Sequence, residues 1–326
     1  MEPRRDSDLT TPAGRVLGVI AIALAVATLF NSEALVRAGE GMRPGPTRDI
    51  VLSVGRPVDD VAGAVGFHLP REGLDLAFGQ EPKTGSGTAL ERGSTAILRR
   101  NRRKAARQSF AQPTRARPLH VFVTGDSQAE FLGQRLIDQA PQGLLDVETV
   151  ARNGTGLTNP AFFNWEINAR QEVETRDPGA VVMAIGDNDG FNVQTPDGSL
   201  YDPGEPGWET EFARRVAVVS SVLSSGGRRP VYWVPPPTAR DPKFNRIFRI
   251  QNRAVERATK AVPALRYVDV YSTLNRGRYS DELRIDGRRV LARQPDGIHF
   301  TREGAVWPVR LILDAMAEDF PALRRR

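Results

Sequence analysis

Short apolar runs alternate with amphipathic stretches along the chain from about residue 117 onward. The runs have the length of buried strands, and the stretches repeat apolar residues every three to four positions, as helices with one buried face do. This alternation is typical of a parallel sheet whose strands are joined by crossover helices. The predicted strands are 119–123, 147–150, 180–185, 231–234 and 266–270, and the predicted helices are 129–139, 208–224, 244–261 and 301–319.

These elements predict one α/β domain over residues 118–326. Its architecture is a three-layer α/β/α, doubly wound (flavodoxin-like) fold around a five-stranded parallel sheet. The chain of 326 residues is long enough for such a domain and a preceding segment. Its 40% apolar and 26% charged residues are those of a globular protein, which excludes a largely disordered chain.

The first segment has the pattern of a membrane signal. Residues 16–30 carry no charge and are almost all apolar, and Arg4, Arg5 and Arg15 precede them. Extended to Val36, the run reaches the roughly 20 residues that cross a bilayer. Basic residues before the run keep that end in the cytoplasm and send the rest across. We therefore predict a cytoplasmic tip and transmembrane signal anchor in 1–37, with a cleaved signal peptide and a buried helix as alternatives.

A connector, 38–117, follows the anchor and ends in a basic run. Between residues 99 and 117 lie eight basic residues and no acid, more than the formal net charge of +6 of the whole chain. The excess charge is therefore a property of this run, which is typical of a solvated linker. Contact with anionic lipid or an anionic wall polymer is the alternative. No nucleic-acid-binding module accompanies the arginines, so nucleic acid is not a predicted partner.

Cysteine and histidine counts narrow the chemistry further. The chain has no cysteine, which excludes disulfides, thiolate zinc sites and a cysteine nucleophile. Its three histidines, His68, His120 and His299, make a polyhistidine metal site an unfavourable interpretation. The sequence predicts neither a metal nor a cofactor.

The strand predicted at 119–123 leads into Gly125-Asp126-Ser127, directly before a predicted helix. A glycine there permits a sharp turn, and ligands bind at the carboxyl ends of parallel strands. A serine at a helix N-terminus lies beside backbone N–H groups that favour negative charge. Ser127 is therefore a candidate nucleophile, although a turn with a helix cap would give the same three residues.

Two further segments carry polar groups at positions suited to the same site. The strand predicted at 180–185 ends in Gly186-Asp187-Asn188-Asp189, where the Asn188 amide could donate to an oxyanion or close an Asx turn. Asp296-Gly-Ile-His299 precedes the last helix. A carboxylate three residues before a histidine can fix its tautomer and leave the other nitrogen as a base.

Together with a fourth segment around Gly156, these three segments resemble, in order and spacing, the four blocks of the SGNH (GDSL) hydrolase superfamily. The blocks are Gly125-Asp126-Ser127, Gly156 in Asn153-Gly-Thr-Gly-Leu, Gly186-Asp187-Asn188-Asp189 and Asp296-Gly-Ile-His299. Gln128 stands where many members have leucine, a departure shared with a bacterial membrane-anchored branch catalogued as a domain of unknown function. The segments 155–165 and 235–240 also resemble that branch, and nearby Arg240 and Asn245 are candidates for the site or for a surface role.

The resemblance implies a role for each matching residue. Ser127 would be the nucleophile, and Asp296 and His299 would complete the catalytic triad. The oxyanion hole would consist of the Ser127 N–H, the Gly156 N–H and the Asn188 amide. Gly154 is an alternative for the second-block glycine because it lies only two residues from Gly156.

The expected function is that of an extracytoplasmic serine esterase or O-acyltransferase, acting through an acyl-serine on acyl esters of a cell-envelope or exported glycan. Residues 35–49 resemble envelope proteins that work beside membrane-bound O-acyltransferases, so such an enzyme is a candidate partner. Two alternatives stay open. One is a catalytically silent carbohydrate-binding or scaffold protein with the same fold, and the other is an interaction module whose basic run docks an anionic polymer.

Overall fold

The computed structural model describes residue 16, residues 50–55 and 57–58, and residues 110–324. The chain divides into two compact units, Met1–Thr84 and Gly85–Arg326. In the first unit, residues 50–55 and 57–58 are helical. The second unit carries the candidate site.

The predicted anchor in 1–37, apart from residue 16, lies outside the described residues, and so does most of the basic run of 99–117. In the parts of the chain that the structure does describe, no helix has both the length and the apolarity needed to span a bilayer. The division into 1–37, 38–117 and 118–326 stays a prediction.

Within residues 110–324, the described part of the second unit, the strands form a five-stranded sheet and two small antiparallel hairpins. All five strands of the main sheet are parallel, in the order β2-β1-β3-β6-β7. The hairpins are β4-β5 and β8-β9. The strands are β1 Leu119–Gly125, β2 Leu145–Ala151, β3 Ala180–Ala184, β4 Val193–Gln194, β5 Leu200–Tyr201, β6 Val231–Val234, β7 Leu265–Tyr267, β8 Glu282–Ile285 and β9 Arg288–Leu291.

Helices cover both faces of the main sheet. The helices are α1 Leu132–Gln139, α2 Trp165–Arg176, α3 Pro206–Leu223, α4 Pro242–Thr259, α5 Val270–Thr273 and α6 Val306–Asp319. On one face, α2, α3 and α4 pack against Phe122, Met183 and Trp233, and on the other face α1 and α6 pack against Val123, Val182 and Tyr232. The predicted three-layer, doubly wound fold is confirmed.

Several elements differ from the sequence-based prediction. Helix α6 begins at Val306, not at 301, and β7 ends at Tyr267 before the short helix α5. The hairpins β4-β5 and β8-β9 and helix α2 were not predicted. Helix α2 shows no apolar stripe because one of its three buried positions is Glu172, which forms an ion pair with Arg152.

Strand order reverses beside β1, whose neighbours are β2 and β3. Polar groups that follow β1 and β3 therefore meet at one edge of the sheet. Gly125, the last residue of β1, pairs with Ala184, the last residue of β3. Its φ is +138°, and a Cβ there would lie 1.7 Å from the Ala184 carbonyl oxygen. Only glycine lets the two strand ends approach this closely.

We expect Gly125→Ala to lower the free energy of unfolding by about 3 kcal/mol or more, through backbone strain and displacement of the end of β3. Urea unfolding measures the change. The matched control is Gly198→Ala, which also has a positive φ (+90°) but no atom within 4 Å of the added Cβ. Equal losses in the two variants would contradict the role of close packing at Gly125.

Candidate active site

Ser127 begins a 3-10 turn, Ser127–Ala129, directly after β1. The preceding residue, Asp126, caps this turn by accepting the Gln128 N–H (2.9 Å). Ser127 Oγ lies 2.7 Å from His299 Nε2, across 172 residues of sequence. The serine hydroxyl can therefore donate its hydrogen to the imidazole ring.

His299 follows a tight turn that contains its second partner. Asp296 Oδ1 accepts the Ile298 and His299 N–H groups (2.9 and 3.0 Å), and Asp296 Oδ2 lies 2.6 Å from His299 Nδ1. His299 is only 6% exposed. A carboxylate on Nδ1 favours the tautomer with hydrogen on that nitrogen, so the Nε2 lone pair faces Ser127.

The Asp296 carboxylate is held in its ionised form. Partial burial would raise its pKa, but the backbone N–H groups of Ile298 and His299, together with the imidazole, keep that pKa below the usual value of 3.8. Asp296 thus supplies a negative charge that can stabilise a positive imidazolium.

Asp126 connects the ends of two strands from a fully buried position. Its Oδ2 accepts the N–H groups of Gly186 (2.8 Å) and Asp187 (3.1 Å), which follow β3. Burial raises the pKa of Asp126 to about 7, against these backbone donors, which lower it. The carboxylate fixes the turn that carries Ser127 relative to the turn that carries Asn188.

Asn188 and Gly156 lie on neighbouring loops. The Asn188 amide donates to the carbonyl oxygen of Thr155 (3.1 Å), in the peptide unit that precedes Gly156. Gly156 is buried, and a Cβ there would lie 2.5 Å from Asp189 Oδ1. This close approach favours Gly156 over Gly154 as the second-block glycine. The oxyanion roles of Ser127, Gly156 and Asn188 stay predictions.

Asp187 is a neighbour of the site that the sequence interpretation missed. Its Oδ2 lies 3.2 Å from His299 Nε2 and accepts from the Gln128 side-chain amide (2.6 Å). The Asp187 side chain is 1% exposed. In the sequence, Gln128 is notable only because many SGNH members have leucine at this position. Its partner, Asp187, is a polar residue next to Asn188 in the third block, and that position was the only signal that could have suggested a role for it.

Two arginines support the turn that carries His299. Arg293 is buried and donates to the carbonyl oxygens of Ile298 (2.6 Å) and Thr238 (2.8 Å), and burial lowers its pKa to about 10. Arg240 donates to the Pro295 carbonyl (2.8 Å) from a more exposed position. Asn245 instead accepts from the Ala239 N–H (3.2 Å). Sequence alone did not indicate Arg293.

Within residues 110–324 and the short described stretches before them, no group of three or more acidic or histidine side chains has the arrangement of a metal site. The groups that the described site itself offers are a hydroxyl, an imidazole, carboxylates and amides.

Residues 120–315 match the family described as "Protein of unknown function (DUF459)". The chain belongs to this family. The match covers the four blocks from Ser127 to His299, and the predicted resemblance to a branch catalogued as a domain of unknown function is confirmed. No curated protein matches the chain.

Several solved structures are similar to this DUF459 protein at low sequence identity. An acetyl xylan esterase has 14% identity and a TM-score of 0.43, over 60% of this chain and 99% of its own. A catalytic mutant of an acetylxylan esterase from Geobacillus stearothermophilus has 14% identity and a TM-score of 0.38, over 64% and 97%. A lipase from a goat rumen metagenome has 12% identity and a TM-score of 0.38, over 60% and 97%.

We expect Asp296→Asn to unfold more easily than the wild type at neutral pH. Because the pKa of Asp296 is lowered in the folded protein, its ionised carboxylate stabilises the fold. This stabilisation is fully present above pH 3.8, the usual pKa of an aspartate. It is lost as the pH falls below 3.8 and through the lowered native value. The difference in free energy of unfolding between the two proteins should therefore shrink in acid.

Urea unfolding of both proteins at about pH 7 and about pH 3 tests this expectation. A difference of the same size at both pH values would show that Asp296 contributes nothing as a charged group.

Proposed function

We propose that the protein is an extracytoplasmic serine esterase or O-acyltransferase that works through an acyl-serine intermediate. The observation that supports it best is the continuous hydrogen-bonded series Ser127 Oγ, His299 and Asp296, with distances of 2.7 and 2.6 Å. A hydroxyl, a base and an orienting carboxylate in this order are the components of nucleophilic acyl transfer.

In the first step, Ser127 Oγ attacks the carbonyl carbon of an ester while its proton passes to His299 Nε2. The C–O bond forms as the O–H bond breaks, and the carbonyl electrons move onto the oxygen. Asp296 stabilises the resulting imidazolium through Nδ1–H and takes no proton itself. The imidazolium then gives its proton to the departing alcohol oxygen, which leaves an acyl-serine.

The oxyanion that forms needs donors at the edge of the sheet. The Asn188 amide carries two hydrogens, one of which goes to the Thr155 carbonyl (3.1 Å). The other is our candidate donor to the oxyanion, together with the N–H groups of Ser127 and Gly156. Each such donor contributes on the order of 3 kcal/mol in comparable sites.

The second step decides between the two reactions. Water activated by His299 releases the acyl group in an esterase, whereas a sugar hydroxyl accepts it in a transferase. The same residues serve both, since each acceptor loses its proton to Nε2 as it attacks the acyl carbon.

The substrate and location that we propose are acyl esters of a cell-envelope or exported glycan, outside the cytoplasm. The apolar run of residues 16–30 with arginines before it supports export. The resemblance of residues 35–49 to proteins that accompany membrane-bound O-acyltransferases supports such a partner and favours transfer.

We expect the purified chain to hydrolyse p-nitrophenyl acetate and Ser127→Ala to lose this activity by a factor of about 1,000 or more, because the variant lacks the nucleophile. A fluorophosphonate probe followed by peptide mapping should label Ser127 alone. The control is Ser199→Ala, a serine of the β4-β5 hairpin, which should keep the wild-type rate.

Equal rates for the wild type and Ser127→Ala would remove the enzyme hypothesis. A folded chain that binds acylated glycan but neither hydrolyses ester nor reacts with the probe would instead be the silent binding protein of the same fold.

Asn188→Ala should reduce kcat by about 100-fold to 1,000-fold with a smaller change in KM, because a donor to the oxyanion acts chiefly in the transition state. The matched control is Asn168→Ala on α2, whose amide donates to Glu172 (3.3 Å). Equal kcat values in Asn188→Ala and the control would exclude the oxyanion role.

A further inference from the structure

His299 lies between two carboxylates. Asp296 occupies its Nδ1 side (2.6 Å), and Asp187 Oδ2 lies 3.2 Å from Nε2, the nitrogen that faces Ser127. The reaction proposed above assigns no part to Asp187. Yet Asp187 is within hydrogen-bond distance of the atom that receives the serine proton.

The two carboxylates act at different moments of proton transfer. Before the reaction, the ring carries its hydrogen on Nδ1, where it points to Asp296. Nε2 then has a lone pair and no hydrogen, so it cannot donate to Asp187. After transfer, Nε2–H is a donor beside a carboxylate that only accepts. Asp187 therefore favours the charged form of the ring over the neutral form.

Burial strengthens this preference. The Asp187 side chain is 1% exposed and that of His299 is 8% exposed, so little solvent separates them. Charges interact more strongly in such surroundings than in water. The Gln128 amide holds the same Oδ2 atom (2.6 Å), which fixes the carboxylate toward the ring.

Charged and titratable groups surround the pair from every adjoining segment. Asp126, after β1, accepts the Asp187 N–H (3.1 Å), and Asp189 follows β3. Asp296 belongs to the turn of His299, and Arg293, before that turn, interacts with both Asp187 and Asp296. Because burial raises the pKa values of Asp126 and Asp189, these two carry less negative charge than Asp296, and Arg293 opposes the carboxylates with a positive charge.

We propose that Asp187 is a second carboxylate partner of His299, which stabilises the imidazolium from its Nε2 side and sets the pH at which Ser127 becomes reactive. This inference rests on the function proposed above. In this sequence of steps the proton moves from Ser127 Oγ to Nε2 and then to the departing oxygen, and Asp187 takes no proton and only accepts a hydrogen bond in between.

The test is the pH dependence of the rate at which a fluorophosphonate labels Ser127 in the full chain. In Asp187→Asn, the acid limb of the profile should move to lower pH by about one unit, because the imidazolium loses a stabilising charge. The plateau rate should also fall, because a weaker base removes the serine proton more slowly. A purely structural defect lowers the plateau and leaves the limb in place.

The matched control is Asp177→Asn, which removes the same charge near the amino end of β3 from a residue paired with Arg229 (2.5 Å). It should leave the acid limb where the wild type has it. Gln128→Leu is the second variant. Loss of the amide donor that holds the Asp187 carboxylate toward the ring weakens its contact with Nε2, so the limb should move to lower pH, as in Asp187→Asn.

The outcomes separate the two hypotheses. A wild-type chain whose Ser127 is never labelled overturns the proposed function and this inference with it. Labelling of Ser127 with the same acid limb in the wild type and Asp187→Asn overturns this inference alone. If Asp187→Asn does not fold, an unchanged limb in Gln128→Leu overturns it.

Discussion

A buried carboxylate, Asp126, holds together the ends of the two strands on which the candidate site depends. Its two oxygens accept three backbone N–H groups, from Gln128 after β1 and from Gly186 and Asp187 after β3. Backbone N–H groups at strand ends need partners when they are buried, and here one side chain serves both ends. The position of Ser127 relative to Asn188 is therefore a consequence of this contact and of the close packing at Gly125.

The turn of His299 is fixed by other means. Asp296 accepts N–H groups within its own turn, and Arg293 reaches the Ile298 and Thr238 carbonyls from inside the fold. Arginine suits this position because its planar group donates in several directions at once. Ser127 and His299 thus belong to separately stabilised segments, and the 2.7 Å contact between their side chains forms where those segments meet. The site depends on the rigidity of both.

Sequence reasoning was reliable where a local pattern determines the structure. Strands β1, β2, β3 and β6 follow from apolar runs, and glycine after an apolar run marked the ends of β1 and β3. Helix α2 was not predicted because its buried face includes Glu172. The ion pair between Glu172 and Arg152 cannot be recognised from the spacing of apolar residues. Gln128 and Asp187 are 59 residues apart, and their pairing depends on strand order. Such contacts exist only once the sheet has formed, so no local pattern could reveal them.

Residues 186–189, which follow β3 after Ile185, show how many different contacts one strand end can make. A Cβ on Gly186 would lie 2.6 Å from Pro236, Asp187 faces His299, Asn188 reaches Thr155, and Asp189 accepts from Thr158 (2.7 Å). Successive side chains point in different directions, so Asp187 contacts the turn of His299, whereas Asn188 and Asp189 contact the segment 155–158. A shift of one residue would place a carboxylate where the Asn188 amide now donates to the Thr155 carbonyl, and a carboxylate cannot donate to that oxygen. The register of β3 against β1, set by the pairing of Gly125 with Ala184, is therefore what assigns the amide and the acid to their places.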